Sequence, residues 1–148
     1  MPTPTTTDTG LAADLLSVVA RINRLATQRV TMQLPFAQAR LLSTIEDQGA
    51  ARISDLAALD HCSQPTMTTQ VRRLEDAGLV TRAIDPADGR AVLISITDAG
   101  VAALARVRID RGAAIDPFLE RLDDADRHTL ADAIRVMRRL LDDARGQH

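Results

Sequence analysis

The chain has 148 residues, 45% of them apolar, with only two aromatics (Phe36 and Phe118), one cysteine (Cys62) and a net charge of −2. That length suits one domain, or a small domain with an appended dimerisation region, and the aliphatic core it implies suits packed helices. An internal disulfide is excluded, no apolar run is long enough to span a membrane, and the N-terminus lacks the basic-then-apolar order of a secretory signal, so a cytoplasmic protein is expected.

Residues 1–10 are rich in threonine and proline and offer nothing to a core, so a disordered tail is expected before a single domain over 11–148. Leu15, Val18, Val19, Ile22 and Leu25 recur at three and four, which predicts an amphipathic helix over 11–30. Pro35 marks a second helix, striped by Phe36, Ala39, Leu42 and Ile45 and closed by Gly49. Ser54 is the expected N-cap of a short third helix with Leu56, Ala57 and Leu59 inward, closing at Asp60-His61.

Ser63 caps the fourth helix, Pro65 lies in its first turn, and Met67, Val71 and Leu74 form its buried stripe. Gly78 ends it, with Leu79 folding back on Leu74. Val80–Ile84 and Ala91–Thr97 read as strands around the turn Asp85-Pro86-Ala87-Asp88-Gly89. Thr97 caps a fifth helix with Val101, Leu104 and Val107 inward, ending near Ile115 before Pro117. A last helix begins near Asp123 and carries Leu130, Ile134, Met137 and Leu141 on one side.

The expected fold class is mainly α with a small β-hairpin wing. A winged helix-turn-helix core over 34–100 is flanked by helices over 11–30 and 98–145. The apolar stripes of those outer helices belong to no second globule, so they are expected to pack on a second copy of the chain.

The negative net charge runs against a nucleic-acid binder, but its distribution does not. No acid lies between Asp60 and Glu75, whereas ten of the twenty acids lie from Asp98 to Asp143. With Met67, Val71 and Leu74 inward, the fourth helix turns Gln64, Thr66, Thr69, Arg72 and Arg73 outward, with Thr68 on the flank. Arginine bonds two acceptors on guanine, glutamine pairs with adenine, and threonine serves phosphates or the thymine methyl. Arg90 leaves the hairpin tip where it can enter a minor groove. Asp88 is expected to hold the Arg90 guanidinium in a charge-assisted pair.

These residues carry a resemblance. Leu56-Ala57, the run SQPTMTTQVRRLEDAGLVTR from Ser63 to Arg82, the wing Asp85-Pro86-Ala87-Asp88-Gly89-Arg90 and the close Leu93–Thr97 with Asp98-Ala99-Gly100 resemble the DNA-binding core of the MarR family of bacterial transcription regulators. The resemblance implies a homodimeric regulator, a repressor, on a pseudo-palindromic operator in double-stranded DNA. It places Ser63, Gln64, Pro65, Thr66, Thr68, Thr69, Arg72 and Arg73 at recognition-helix positions and Asp88 and Arg90 at the wing pair. It also implies release by a small-molecule effector, for which Phe36 is a candidate lining residue and no further site is assigned.

No cofactor or metal is expected, because no histidine precedes His61 and Cys62 reads as a small core residue. An enzyme is not expected either. Asp60, His61 and Cys62 are adjacent on a helix end and lack an oxyanion-hole signature. The alternative is a winged-helix module that binds proteins rather than DNA, which acids on the recognition face would favour.

Overall fold

Leucine, isoleucine and alanine at helical spacing, punctuated by proline, serine and glycine, fold into six helices and a small sheet among the described residues. The computed structural model describes residues 8–31 and 33–146. In chain order these hold α1 (Asp8–Gln28), α2 (Phe36–Gln48), β1 (Ala51–Arg52), α3 (Ile53–Leu59), α4 (Gln64–Asp76), β2 (Val80–Asp85), β3 (Asp88–Ile96), α5 (Asp98–Leu119) and α6 (Asp124–Arg145). The tail expected over 1–10 already meets α1 at Asp8, and residues 1–7 lie outside the described residues. The chain separates into two units, one ending at Arg111 and one beginning at Gly112.

The core of the first unit draws on every element between α2 and β3 except the wing tip. Leu42, Ile45, Leu56, Met67, Val71, Leu74 and Ile94 are each at most 1% exposed. Truncating such a leucine, isoleucine or methionine to alanine costs about 2–5 kcal/mol. The buried stripe of α4 is the expected one, Met67, Val71 and Leu74. In α2 the buried row is Ala39, Leu41, Leu42 and Ile45, while Phe36 in the first turn is exposed. Leu59 and Val101, both expected inward, are exposed as well; α5 buries Gly100, Leu104 and Val107.

The hairpin expected from the sequence gains a third strand. The sheet runs β1-β3-β2, antiparallel throughout, with Ala51 opposite Ile94 and Arg52 opposite Leu93. Because the chain enters α3 extended from β1, Arg52 occupies the N-cap position without a side-chain cap, and Ser54, the expected cap, lies inside the helix. β2 and β3 pair from Val80 opposite Ile96 to Ile84 opposite Val92, then shift register so that Asp85 faces Asp88. Gly89, Arg90 and Ala91 are therefore a bulge on β3.

Two turns set the direction of α4. At its start, His61 is left-handed with φ 51°, and the Cys62 N–H donates to Ala57 O at 3.0 Å, closing α3. Glycine is the usual occupant of that position. Ser63 then caps α4, its Oγ accepting from the Thr66 N–H at 3.3 Å. At the other end, Gly78 takes φ 73° and the Leu79 N–H donates to Leu74 O at 2.9 Å, as the sequence predicts.

In the second unit the Asp123 carboxylate caps α6, accepting from the Asp126 N–H at 2.8 Å. No α6 residue is buried among those described, and Leu130, Ile134 and Leu141 are 39%, 43% and 60% exposed, so its apolar stripe is uncovered in one chain. α5 runs past the expected end near Ile115 to Leu119, with Pro117 in its last turn. A proline there cannot donate to the carbonyl of Ala113, and its ring crowds that carbonyl one turn earlier.

Candidate nucleic-acid interface

Burying Met67, Val71 and Leu74 fixes the rotation of α4 about its axis and leaves one face to solvent. Gln64, Pro65, Thr66, Thr69, Arg72 and Arg73 are exposed there, and Thr68 is half-buried on the flank. Arg72 and Arg73 have no ion-pair partner among the described residues. The hydroxyls nearest the helix start are engaged: Ser63 Oγ lies 2.9 Å from Thr66 Oγ1, and Thr69 Oγ1 donates to Pro65 O at 3.1 Å. Glu75, the first acid on the helix, is neutralised by Arg82 of β2, whose Nε donates to both carboxylate oxygens at 2.9 and 2.8 Å. The exposed face of α4 is thus polar and cationic over its first three turns.

The wing places Arg90 on the bulge, exposed and without a side-chain partner among the described residues. Asp88 does not hold the Arg90 guanidinium, as the sequence reading expects. Its Oδ1 accepts from the Arg90 backbone N–H at 3.1 Å, and its Oδ2 lies 3.9 Å from Arg52 Nη2. A carboxylate two residues before an N–H closes a local turn readily, at little cost in ordering a long side chain.

Asp85 and Arg52 are the residues that the sequence reading missed. Arg52 Nη2 donates to Asp85 Oδ2 at 2.7 Å, and Asp85 Oδ1 accepts from the Ala87 N–H at 2.9 Å. The hydrogen bond from Arg52, reinforced by that from Ala87, holds the Asp85 carboxyl below the usual carboxylate range, and the same bond raises the Arg52 pKa. Asp85 ahead of Pro86 signals a turn, but nothing local announces a partner 33 positions earlier.

A cavity of about 270 Å³ also lies within the first unit, lined by residues that include Asn23, Phe36, Arg40, Arg108 and Arg111. Arg111 stacks its guanidinium 5.6 Å from the Phe36 ring centroid and donates to Asn23 Oδ1 at 2.9 Å, while its buried Nε has no partner among the described residues. Arg108 pairs with Glu46 at 2.7 Å, and Arg40 with Asp60 at the end of α3. Cys62 is half-buried against the core. Among the described residues no cluster of histidine, cysteine and carboxylate side chains could hold a metal ion.

The family model described as MarR family matches residues 34–92. An HTH-type transcriptional regulator of Mycobacterium tuberculosis is 31% identical over 138 residues, spanning 93% of this chain and 96% of the relative. Of solved structures, wild-type apo MarR from E. coli aligns with a TM-score of 0.67 at 21% identity over 86% of this chain and 96% of its own. BpsR of Bordetella bronchiseptica, whose DNA binding is regulated by 6-hydroxynicotinic acid, aligns at 0.55 and 25% identity over 93% and 97%.

Proposed function

The chain belongs to the MarR family of HTH-type transcriptional regulators, and from that premise we propose a dimeric repressor that binds a pseudo-palindromic operator and is released by a small-molecule effector. The observation that carries the DNA reading is a pairing pattern. Arg72, Arg73 and Arg90 are exposed and unpaired among the described residues, whereas Glu75, Asp85 and Asp88 each face an arginine. In this reading Arg72 and Arg73, with Gln64, Thr66, Thr68 and Thr69, meet base edges and phosphates in the major groove. Ser63 and Pro65 shape the helix start, Arg90 enters the minor groove, and Asp88 fixes the bulge beneath it.

Residues 34–100 form the DNA-binding core in this proposal, and the helices over 11–30 and 98–145 form the dimer. The support is uncovered apolar surface: Leu11, Leu16 and Ile22 on α1, and Leu130, Ile134, Leu140 and Leu141 on α6, are all at least 39% exposed. A bacterial regulator of this kind works in the cytoplasm. No helix among the described residues is long and apolar enough to cross a membrane.

The cavity beside Phe36 is the proposed effector site. Guanidinium groups and one aromatic ring suit a small aromatic acid, the chemical class of the compound that regulates BpsR. Arg40 gives such an acid a route to the DNA face. It lines the cavity and holds Asp60, which precedes the turn into α4. An anion that competes for Arg40 frees that turn.

Selection of bound genomic fragments with purified protein tests the reading. The recovered fragments should share an inverted repeat with half-site centres about 10 to 10.5 base pairs apart. Arg90→Ala should weaken binding across sequences and lower the salt slope by about 1. Failure to enrich any fragment, or full affinity in both Arg72→Ala and Arg90→Ala, would overturn it and leave a protein-binding module.

A further inference from the structure

The wing tip projects beyond its third strand and is not held by apolar burial. Ile84 and Val92, the last cross-strand pair before the register shift, are 70% and 37% exposed. Polar contacts hold it instead, and they converge on Arg52. Each tip acid uses one oxygen on the wing backbone, Asp85 on the Ala87 N–H and Asp88 on the Arg90 N–H. Each turns its other oxygen to Arg52 Nη2, at 2.7 Å for Asp85 and 3.9 Å for Asp88. The backbone of Arg52 is itself anchored, paired with Leu93 in the sheet and followed at once by the first residue of α3.

We infer that Arg52 is a positioning residue for DNA recognition: it clasps Asp85 and Asp88 so that the bulge presents Arg90 to the groove. The inference rests on the proposed role of the wing as a DNA contact. Arg52 ties the tip to the base of the helix-turn-helix, so that wing and recognition helix meet the duplex in a fixed relation. It also neutralises two carboxylates that would otherwise face phosphates. Arg52 acts through Arg90 and needs no contact with DNA.

The test is a double-mutant cycle on a genomic fragment recovered with the wild-type protein, read as affinity against salt for R52Q, R90Q and the double variant. R52Q should weaken binding about tenfold, the scale of losing a charged hydrogen bond, and lower the salt slope by no more than R90Q does. In the R90Q background the same change should cost less than about threefold, because residues that act as a unit are not additive. Fully additive losses, or a double variant whose slope is lower by about 1 than that of R90Q, would place Arg52 on the DNA and overturn the inference.

Amide hydrogen exchange at Ala87 and Arg90 reads the clasp without DNA. Exchange should quicken in R52Q and not in R90Q, and unchanged exchange in R52Q overturns the clasp. R52K restores the charge opposite Asp85 and should recover affinity and slow exchange together. Recovery of one without the other breaks the link between clasp and Arg90. If R90Q alone leaves affinity intact, the wing reading itself falls, and the role of Arg52 with it.

Discussion

A methyl group added to Gly100 would lie 2.1 Å from the carbonyl oxygen of Leu79. The start of α5 therefore touches the turn that ends α4 at a distance that only glycine allows. Thr97 locks the same junction. Its hydroxyl donates to Gly78 O at 2.7 Å and accepts from the Gly100 N–H at 3.1 Å, and its own N–H donates to Leu79 O at 3.0 Å.

Gly100→Ala is expected to destabilise the protein even though alanine favours a helix interior over glycine by about 1 kcal/mol. The clash is with backbone, which cannot swing aside as a side chain can. A thermal midpoint at or above that of the wild type would show that the junction yields freely.

His61 holds a left-handed backbone at the end of α3, with φ 51°. A β-branched residue tolerates that region poorly, so His61→Val should cost on the order of 1–2 kcal/mol in chemical denaturation. His61→Asn, which tolerates it, should stay near wild-type stability. Equal stability of the valine and asparagine variants would contradict the strain.

Asp85 contributes to stability in a defined pH direction. Its carboxyl is held low mainly by the hydrogen bond from Arg52, so the contribution is fully present above the ordinary carboxylate pKa and is lost as pH falls through the lowered value. The advantage of the wild type over Asp85→Asn should hold at neutral pH and shrink below about pH 4. Urea midpoints across that range check it, and an advantage that grows on acidification would reverse the sign. Asp88 and Asp55 also face Arg52, so the asparagine variant is needed to isolate Asp85.

The uncovered stripe of α6 predicts its own disruption. Light scattering should give twice the chain mass for the wild type. Ile134→Glu, which puts a charge in the middle of the stripe, should shift the protein toward single chains while α6 keeps its helicity. An unchanged mass would move the dimer contact elsewhere.

The fourth helix was largely legible in the sequence. Ser63, Pro65 and Gly78 mark its ends, and the four-and-three spacing of Met67, Val71 and Leu74 fixes which face remains outside. The wing was legible as a hairpin because Asp85 to Gly89 is turn chemistry. Its third strand was not, since two residues are too few to show alternation. Nor was the inward face of α5 fully legible: Leu104 and Val107 are covered as expected, but Val101 is exposed and Gly100 is buried beside it.

Local rules, then, determined the helices, the caps of α4 and α6 and the cationic face of α4, because each depends on residues within about a turn of one another. The partners of the charges were decided only by the tertiary structure. Asp88 and Arg90 are two positions apart, yet Asp88 bonds the Arg90 backbone and faces Arg52, a residue far earlier in the chain. Sequence proximity says which atoms can close a turn. Only the sheet, by laying β1 against β3, brings the guanidinium of Arg52 to the acids of the wing.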